Sequence, residues 1–195
     1  MAAGRIRAEE VTIETAETAI VVVDVQKDFC YENGALYIGE AAKKAIEGIR
    51  SLLRRTSVPR EHWVFTQDWH RDDDPEFRIW PKHCIAGTDG AEIVDEIEVP
   101  RESHVVRKRR YSAFFGTDLD LYLRERGIVT LIVTGVVTNI CVLHTAADAV
   151  MHGYAAVVPE DCVAAIGDYE QEYGLRHMKN VLNAKITRSD LIRER

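Results

Sequence analysis

The feature that most constrains this chain is a series of short, unbroken apolar runs rich in β-branched residues. They are Ala19–Val25 (AIVVVDV), His62–Thr66 (HWVFT), Val105–Arg107, Val129–Thr134 (VTLIVT), Ala155–Val158 and Lys185–Thr187. None alternates apolar with polar, the pattern of strands covered on both faces in a parallel sheet. Between the runs lie helical patterns. Ala42–Arg54 aligns Ile46, Ile49 and Leu53, and Asn139–His152 aligns Leu143, Ala146, Ala147, Val150 and Met151 before stopping at Gly153. Thr117–Arg126 opens with Thr117 three residues before Asp120, a capping-box spacing, and Asp168–Leu182 aligns Leu175, Met178 and Leu182. This alternation predicts an α/β fold: an open, mostly parallel sheet of five to six strands with helices on both faces. At 195 residues we expect one domain over 1–195, with residues 1–17 as an N-terminal extension.

Charge and composition narrow the function. With 32 acidic against 25 basic residues the formal charge is −7, which argues against a nucleic-acid or anionic-membrane partner. No run approaches the roughly 20 apolar residues of a spanning helix, and the first 17 residues lack the apolar core of a secretory signal. Cys30, Cys84, Cys141 and Cys162 are widely spaced and form no C-x-x-C pair, so we read reduced thiols in a cytoplasmic protein. G-x-G-x-x-G, G-x-x-x-x-G-K-[ST] and G-x-S-x-G are absent, as is the H-x-E…P-C-x-x-C pattern of zinc deaminases.

Open α/β sheets bind ligands beyond the carboxyl ends of their strands. There this sequence places Asp24, Asp68, Lys108 and, at the next helix start, Cys141. A cysteine in a first helical turn meets free amides and the positive end of the helix dipole, which favour a thiolate and hold an oxyanion. Burial of that cysteine as a small core residue is the competing reading. Asp24 closes an apolar strand, where poor solvation raises a carboxyl toward a useful base, although a capping role fits it too. Lys108 supplies the countercharge, and its setting in RKRR also fits a solvated basic patch. His144, three residues after Cys141, is the rival base and points away from the first turn.

The stretch from Thr66 to His83 reads as a metal site. Asp68 and His70 are two apart on extended backbone and share a face, and His83 can return across the loop as a third ligand. Two imidazoles, a carboxylate and open positions suit one divalent ion, zinc first and iron or manganese as alternatives. An acidic surface loop with two unrelated histidines is the plain reading of the same spacing.

Taken together, Val-Asp24-Val-Gln-Lys-Asp-Phe29, Gly34-Ala-Leu, Asp68-Trp-His70, Trp80-Pro-Lys-His83-Cys, Lys108…Tyr111-Ser-Ala-Phe114-Phe-Gly-Thr117 and Gly135-Val-Val-Thr-Asn-Ile-Cys141 resemble the nicotinamidase/isochorismatase-like cysteine hydrolase superfamily, over Ala19 to about Ala165. The resemblance implies its Rossmann-like three-layer fold and an Asp24–Lys108–Cys141 triad. It implies a cis Val136–Val137 peptide that turns the Val137 and Cys141 amides into an oxyanion hole. It also implies a ring pocket of Phe29, Trp80 and Tyr111, metal ligands Asp68, His70 and His83, and a homo-oligomer. Two departures stand out. No histidine lies between His70 and His83, so Glu76 is the candidate substitute, direct or through water; and the Lys108–Tyr111 interval is short, as in isochorismatase-type members. The expected reaction is hydrolysis of a small aromatic carboxamide such as nicotinamide or pyrazinamide to acid and ammonia through a cysteine thioester. The alternatives are an isochorismatase-type or other small-amide cysteine hydrolase, and a non-catalytic binding protein on the same fold.

Overall fold

A computed structural model describes residues 6–195. In chain order it contains β1 (Val11–Ile13), β2 (Thr18–Val23), α1 (Lys27–Cys30), α2 (Ala41–Arg55), β3 (Trp63–Asp68) and β4 (His104–Lys108). There follow α3 (Leu119–Glu125), β5 (Thr130–Val136), a π-helical turn at Thr138–Val142, α4 (Leu143–Met151) and β6 (Ala155–Pro159). The chain closes with β7 (Val163–Ala164), α5 (Asp168–Leu182), β8 (Lys185–Thr187) and β9 (Ile192–Glu194). The main sheet has seven strands in the order β4-β3-β2-β5-β6-β8, with β7 on β5, and every ladder is parallel.

The unbroken apolar runs have their expected cause. On β2, Ile20 and Val22 join a core with Ala42, Ala45, Ile46, Ile49 and Leu52 of α2, while Ala19, Val21 and Val23 join a second core on the opposite face. That second core takes Leu119 and Leu123 of α3, Ala146 and Ala149 of α4, and Leu175 and Met178 of α5. A strand buried on both sides admits polar residues only where they find partners, as Thr66 and Thr134 do, whereas edge strand β4 alternates, with Val105 and Arg107 exposed.

The differences from expectation lie at element ends. The seventh strand is β7, two residues long and too short for any periodic signal. It takes over as neighbour of β5 at Gly135 and Val136, beyond the Thr130–Ile132 stretch paired with β6. The predicted capping box at Thr117 does not form: Thr117 Oγ1 accepts the Leu119 N–H at 3.3 Å, and Asp120 instead accepts the Tyr154 hydroxyl at 2.7 Å. Tertiary partners outbid a local cap. Of the segment read as an extension, Val11–Ile13 forms β1, paired with β9 as a two-stranded sheet; residues 1–5 lie outside the described residues. Among the described residues no helix is long and apolar enough to cross a membrane.

The functional edge follows from strand order. β2 is flanked by β3 on one side and β5 on the other, so the chain's order reverses at the β2–β5 boundary. This is where a parallel sheet leaves a crevice. Asp24 follows β2, Asp68 ends β3, Lys108 ends β4 in register with Asp68, and Val137 follows β5.

Candidate active site

At the end of β2 the backbone turns sharply, and Asp24 takes a left-handed φ of +49° with its side chain fully buried. Asp tolerates that conformation better than most residues. Across the ladder, Gly135 pairs with Val23 at φ +107°, and a Cβ there would sit 2.0 Å from the Val23 carbonyl oxygen. Only glycine fits this position. The next peptide, Val136–Val137, is cis, and the chain then enters the π-turn carrying Cys141. Single π-turns recur at functional sites because they redirect a side chain without ending the helix.

The three triad candidates meet. The Lys108 ammonium, buried on every side, donates to Asp68 Oδ1 at 2.6 Å and to Cys141 Sγ at 3.7 Å. It stands 2.7 Å from Asp24 Oδ2 as an ion pair. Oxygens of Asp24 and Asp68 and the Cys141 sulfur all lie within 4.8 Å of one another. Burial raises the Asp24 pKa to about 6 despite Lys108, with Asp68 adding to the rise. Burial works on Asp68 too, but Lys108 and His70 overcome it and hold Asp68 at about 2. Burial pushes Lys108 down, and the attraction of Asp24 and Asp68 reverses this and raises it well above its ordinary value.

Cys141 departs from the reading of a helix-stabilised thiolate. Burial raises its pKa well above a free thiol's; Lys108 opposes this, and Asp24 and Asp68 add to it. Desolvation is the leading cause, and together with two nearby carboxylates it outweighs the single ammonium, so the pocket favours the thiol over the thiolate. His144 is exposed and gives its Nδ1–H to the Ile140 carbonyl at 2.7 Å, so the rival base is occupied elsewhere.

On the other side of Asp68, the metal candidates also converge. Asp68 Oδ2 is 3.7 Å from His70 Nε2 and 4.0 Å from His83 Nε2, and the three ligand atoms lie within 4.8 Å of one another. His70 donates Nδ1–H to Asp74 Oδ2 at 3.2 Å, and His83 donates Nδ1–H to the Pro81 carbonyl at 2.7 Å. Both rings thereby keep a bare Nε2 toward the shared space, the arrangement expected of metal-ligating imidazoles. His70 Nε2 is buried with no hydrogen-bond partner, an orphan that an ion would satisfy. These residues fit a divalent ion. Glu76 is outside the group of three whose ligand atoms all lie within 4.8 Å of one another, although its Oε1 is 3.9 Å from His70 Nε2. Burial, and then Asp68, raise its pKa.

Phe29, Trp80, Tyr111, Val137 and Cys141 line one narrow pocket with Asp68, Glu76 and His83, a cavity of about 20 Å³. Trp80 Nε1 donates to the Tyr111 hydroxyl at 3.1 Å, tying two walls together. Leu36, Ile38, Ile140 and Ile166 complete the lining; Leu36 and Ile140 stand inside the motif blocks without having been read as pocket residues, and Ile38 and Ile166 carried no signal in the sequence. Three supporting residues were also missed. Thr66 contacts Asp24, Asp74 orients His70, and buried Gln26 brackets Asp68, donating to its carbonyl at 2.9 Å and accepting its N–H at 2.8 Å. Thr66 and Asp74 lie two and six residues from Asp68, and that closeness was the only available hint.

Comparison with known proteins identifies the family. The isochorismatase domain family matches residues 18–190, and the chain belongs to that family; it is a hydrolase. It is 38% identical to the nicotinamidase/pyrazinamidase of Bacillus subtilis, with a TM-score of 0.80 over 88% of this chain and 99% of that one. The N-carbamoylsarcosine amidase of Thermoplasma acidophilum is also 38% identical, with a TM-score of 0.79 over 89% of this chain and 97% of that one. The pyrazinamidase of Pyrococcus horikoshii, solved in complex with zinc, is 35% identical, with a TM-score of 0.77 over 88% of this chain and 99% of that one.

Proposed function

We propose that this hydrolase cleaves the amide bond of a small aromatic carboxamide, nicotinamide or pyrazinamide in type, with Cys141 as nucleophile, Asp24 as proton acceptor and donor, and Lys108 as their countercharge. The single observation that carries the proposal is the buried Lys108 ammonium in contact with Asp24, Asp68 and the Cys141 sulfur. A lysine withdrawn from water among two carboxylates and a thiol is costly as mere structure and useful as chemistry.

In this mechanism the thiol proton passes to Asp24 as the sulfur attacks the amide carbon. The oxyanion is held by the Val137 and Cys141 amides; one such donor is worth about 3 kcal/mol in other hydrolases. Asp24 then gives its proton to the amide nitrogen as the C–N bond breaks, and ammonia leaves a thioester on Cys141. Water, losing a proton to Asp24, attacks the thioester, and the acid departs as the sulfur is reprotonated. An Asp24 pKa of about 6 suits a group that takes and returns a proton near neutrality. Asp68, His70 and His83 would hold a divalent ion, with zinc favoured by the donor set, and when bound it would supply a Lewis-acid anchor for a ring nitrogen of the substrate. Phe29, Trp80 and Tyr111 enclose the ring. The four buried free thiols fit a reducing, cytoplasmic setting.

A second reading, hydrolysis of a carbamoyl or ureido amide, is favoured by Glu76, a carboxylate in the pocket wall able to accept N–H groups of such a substrate. One experiment separates the two. Ammonia release is measured on nicotinamide, pyrazinamide, benzamide and N-carbamoyl amino acids, with metal content determined on the same sample. Turnover confined to carbamoyl substrates would overturn the aromatic reading, and no turnover of any amide would overturn both.

A further inference from the structure

We infer that Thr66 is a positioning residue for the reaction and that it assigns the thiol proton to one particular oxygen of Asp24, Oδ2. The inference rests on the reading of Asp24 as proton acceptor. Both main chain and side chain of Asp24 turn to the same hydroxyl. Thr66 Oγ1 accepts the Asp24 N–H at 3.1 Å and donates to Asp24 Oδ1 at 2.5 Å, with both residues fully buried. A hydroxyl has one proton to give. Because the Asp24 amide occupies an acceptor site on Oγ1, the hydroxyl proton is free to point at the carboxylate. The two bonds close a ring between the end of β2 and the interior of β3.

The ring makes the carboxylate oxygens unequal. Oδ1 is taken by a short hydrogen bond, whereas Oδ2 is buried without one and meets the Lys108 ammonium at 2.7 Å as an ion pair. The groups facing Asp24 are Lys108 from β4, Asp68 from β3 and Cys141 from the π-turn. Asp68 is an acceptor, and Lys108 is shared with Asp68 and the sulfur, so neither replaces Thr66 as donor to Oδ1. In the first step the S–H bond breaks, an O–H bond forms at Oδ2, sulfur bonds to the amide carbon, and the carbonyl π pair moves to oxygen. The same Oδ2 proton leaves with ammonia. Thr66 and Asp68 are two apart on one strand, so β3 fixes the base and the metal-side carboxylate together.

The test compares Thr66→Ser with Thr66→Val, and uses Asp24→Asn as reference, on nicotinamide or whichever amide of the panel is turned over. Valine keeps the shape of threonine without its hydroxyl, and serine keeps the hydroxyl without the methyl. Thr66→Val is expected to lower kcat about 100-fold with KM changed less than about threefold, the scale of a base misplaced by an ångström. Thr66→Ser is expected to stay within about fivefold of the parent in kcat, because serine retains the hydroxyl that makes the contact. Should the valine variant not fold, Thr66→Ala replaces it, since serine and alanine differ by the hydroxyl alone. Equal activity of the hydroxyl and apolar variants, or a valine variant faster than serine, overturns the role of Thr66. An inactive Asp24→Asn beside a fully active Thr66→Val overturns the positioning alone, whereas an active Asp24→Asn overturns Asp24 as base.

Discussion

Asp68 divides the candidate site into two regions of different chemistry. Its Oδ1 belongs to a cluster with Lys108, Asp24 and Cys141, where the ammonium contacts two carboxylates and a sulfur. Its Oδ2 faces His70 and His83, whose Nδ1 atoms are committed to Asp74 and Pro81 and whose Nε2 atoms point into shared space, that of His70 without a partner. The first cluster closes on itself and is held by the chain alone. The second presents two ring nitrogens and a carboxylate oxygen to one shared space, a donor set that fits a divalent ion. Burial is tolerable in the first because charge meets charge.

The sharpest break between the regions is at sulfur. Cys141→Ala is expected to lower ammonia release by at least about 10⁴-fold while leaving metal content unchanged, measured by steady-state assay and elemental analysis. Loss of metal together with activity would mean that the two regions are not separable. Lys108→Met comes next, because it strips the countercharge from two buried carboxylates. Thermal or urea unfolding should show a loss of about 3–5 kcal/mol, and a variant as stable as the parent would deny Lys108 its electrostatic role.

His83→Ala tests the second region alone. We expect metal affinity and nicotinamide turnover to fall together, by about 10- to 100-fold, with alkylation of Cys141 little altered. Unchanged turnover after complete metal removal would leave that cluster without a catalytic part. The closed region should also show in the pH profile. Asp24 must be ionised to accept the thiol proton, so kcat/KM should fall about tenfold per unit as pH drops below about 6 and level off above it. A profile flat down to pH 4 would move the base elsewhere. The smallest effect belongs outside both regions: His144→Ala, at an exposed position, should change kcat by less than about twofold.

Sequence legibility follows the same division. Asp24, Lys108, Asp68 and Cys141 were readable as chemically marked residues at strand ends or a helix start, and His70 and His83 as marked residues in the loop that follows Asp68. Thr66, Gln26 and Asp74 were not, because threonine, glutamine and aspartate occur everywhere and their importance lies in a partner. Thr66 and Gln26 each meet a residue 42 positions away. Asp74 lies only four residues from His70, yet among three consecutive aspartates nothing local marks it out. The capping box at Thr117 failed for the related reason that Asp120 found a better partner in Tyr154, 34 residues on.

The amino-acid order by itself determined the doubly covered strands, since burying both faces of a strand favours apolar side chains at nearly every position. It also determined which chemical groups stand at their carboxyl ends. Tertiary structure alone decided the raised pKa of Cys141, the Thr66 hydrogen bond on one Asp24 oxygen, and the unpartnered Nε2 of His70. Each is set by desolvation and hydrogen bonding among segments brought together only by folding, and no local pattern encodes the sum of those fields.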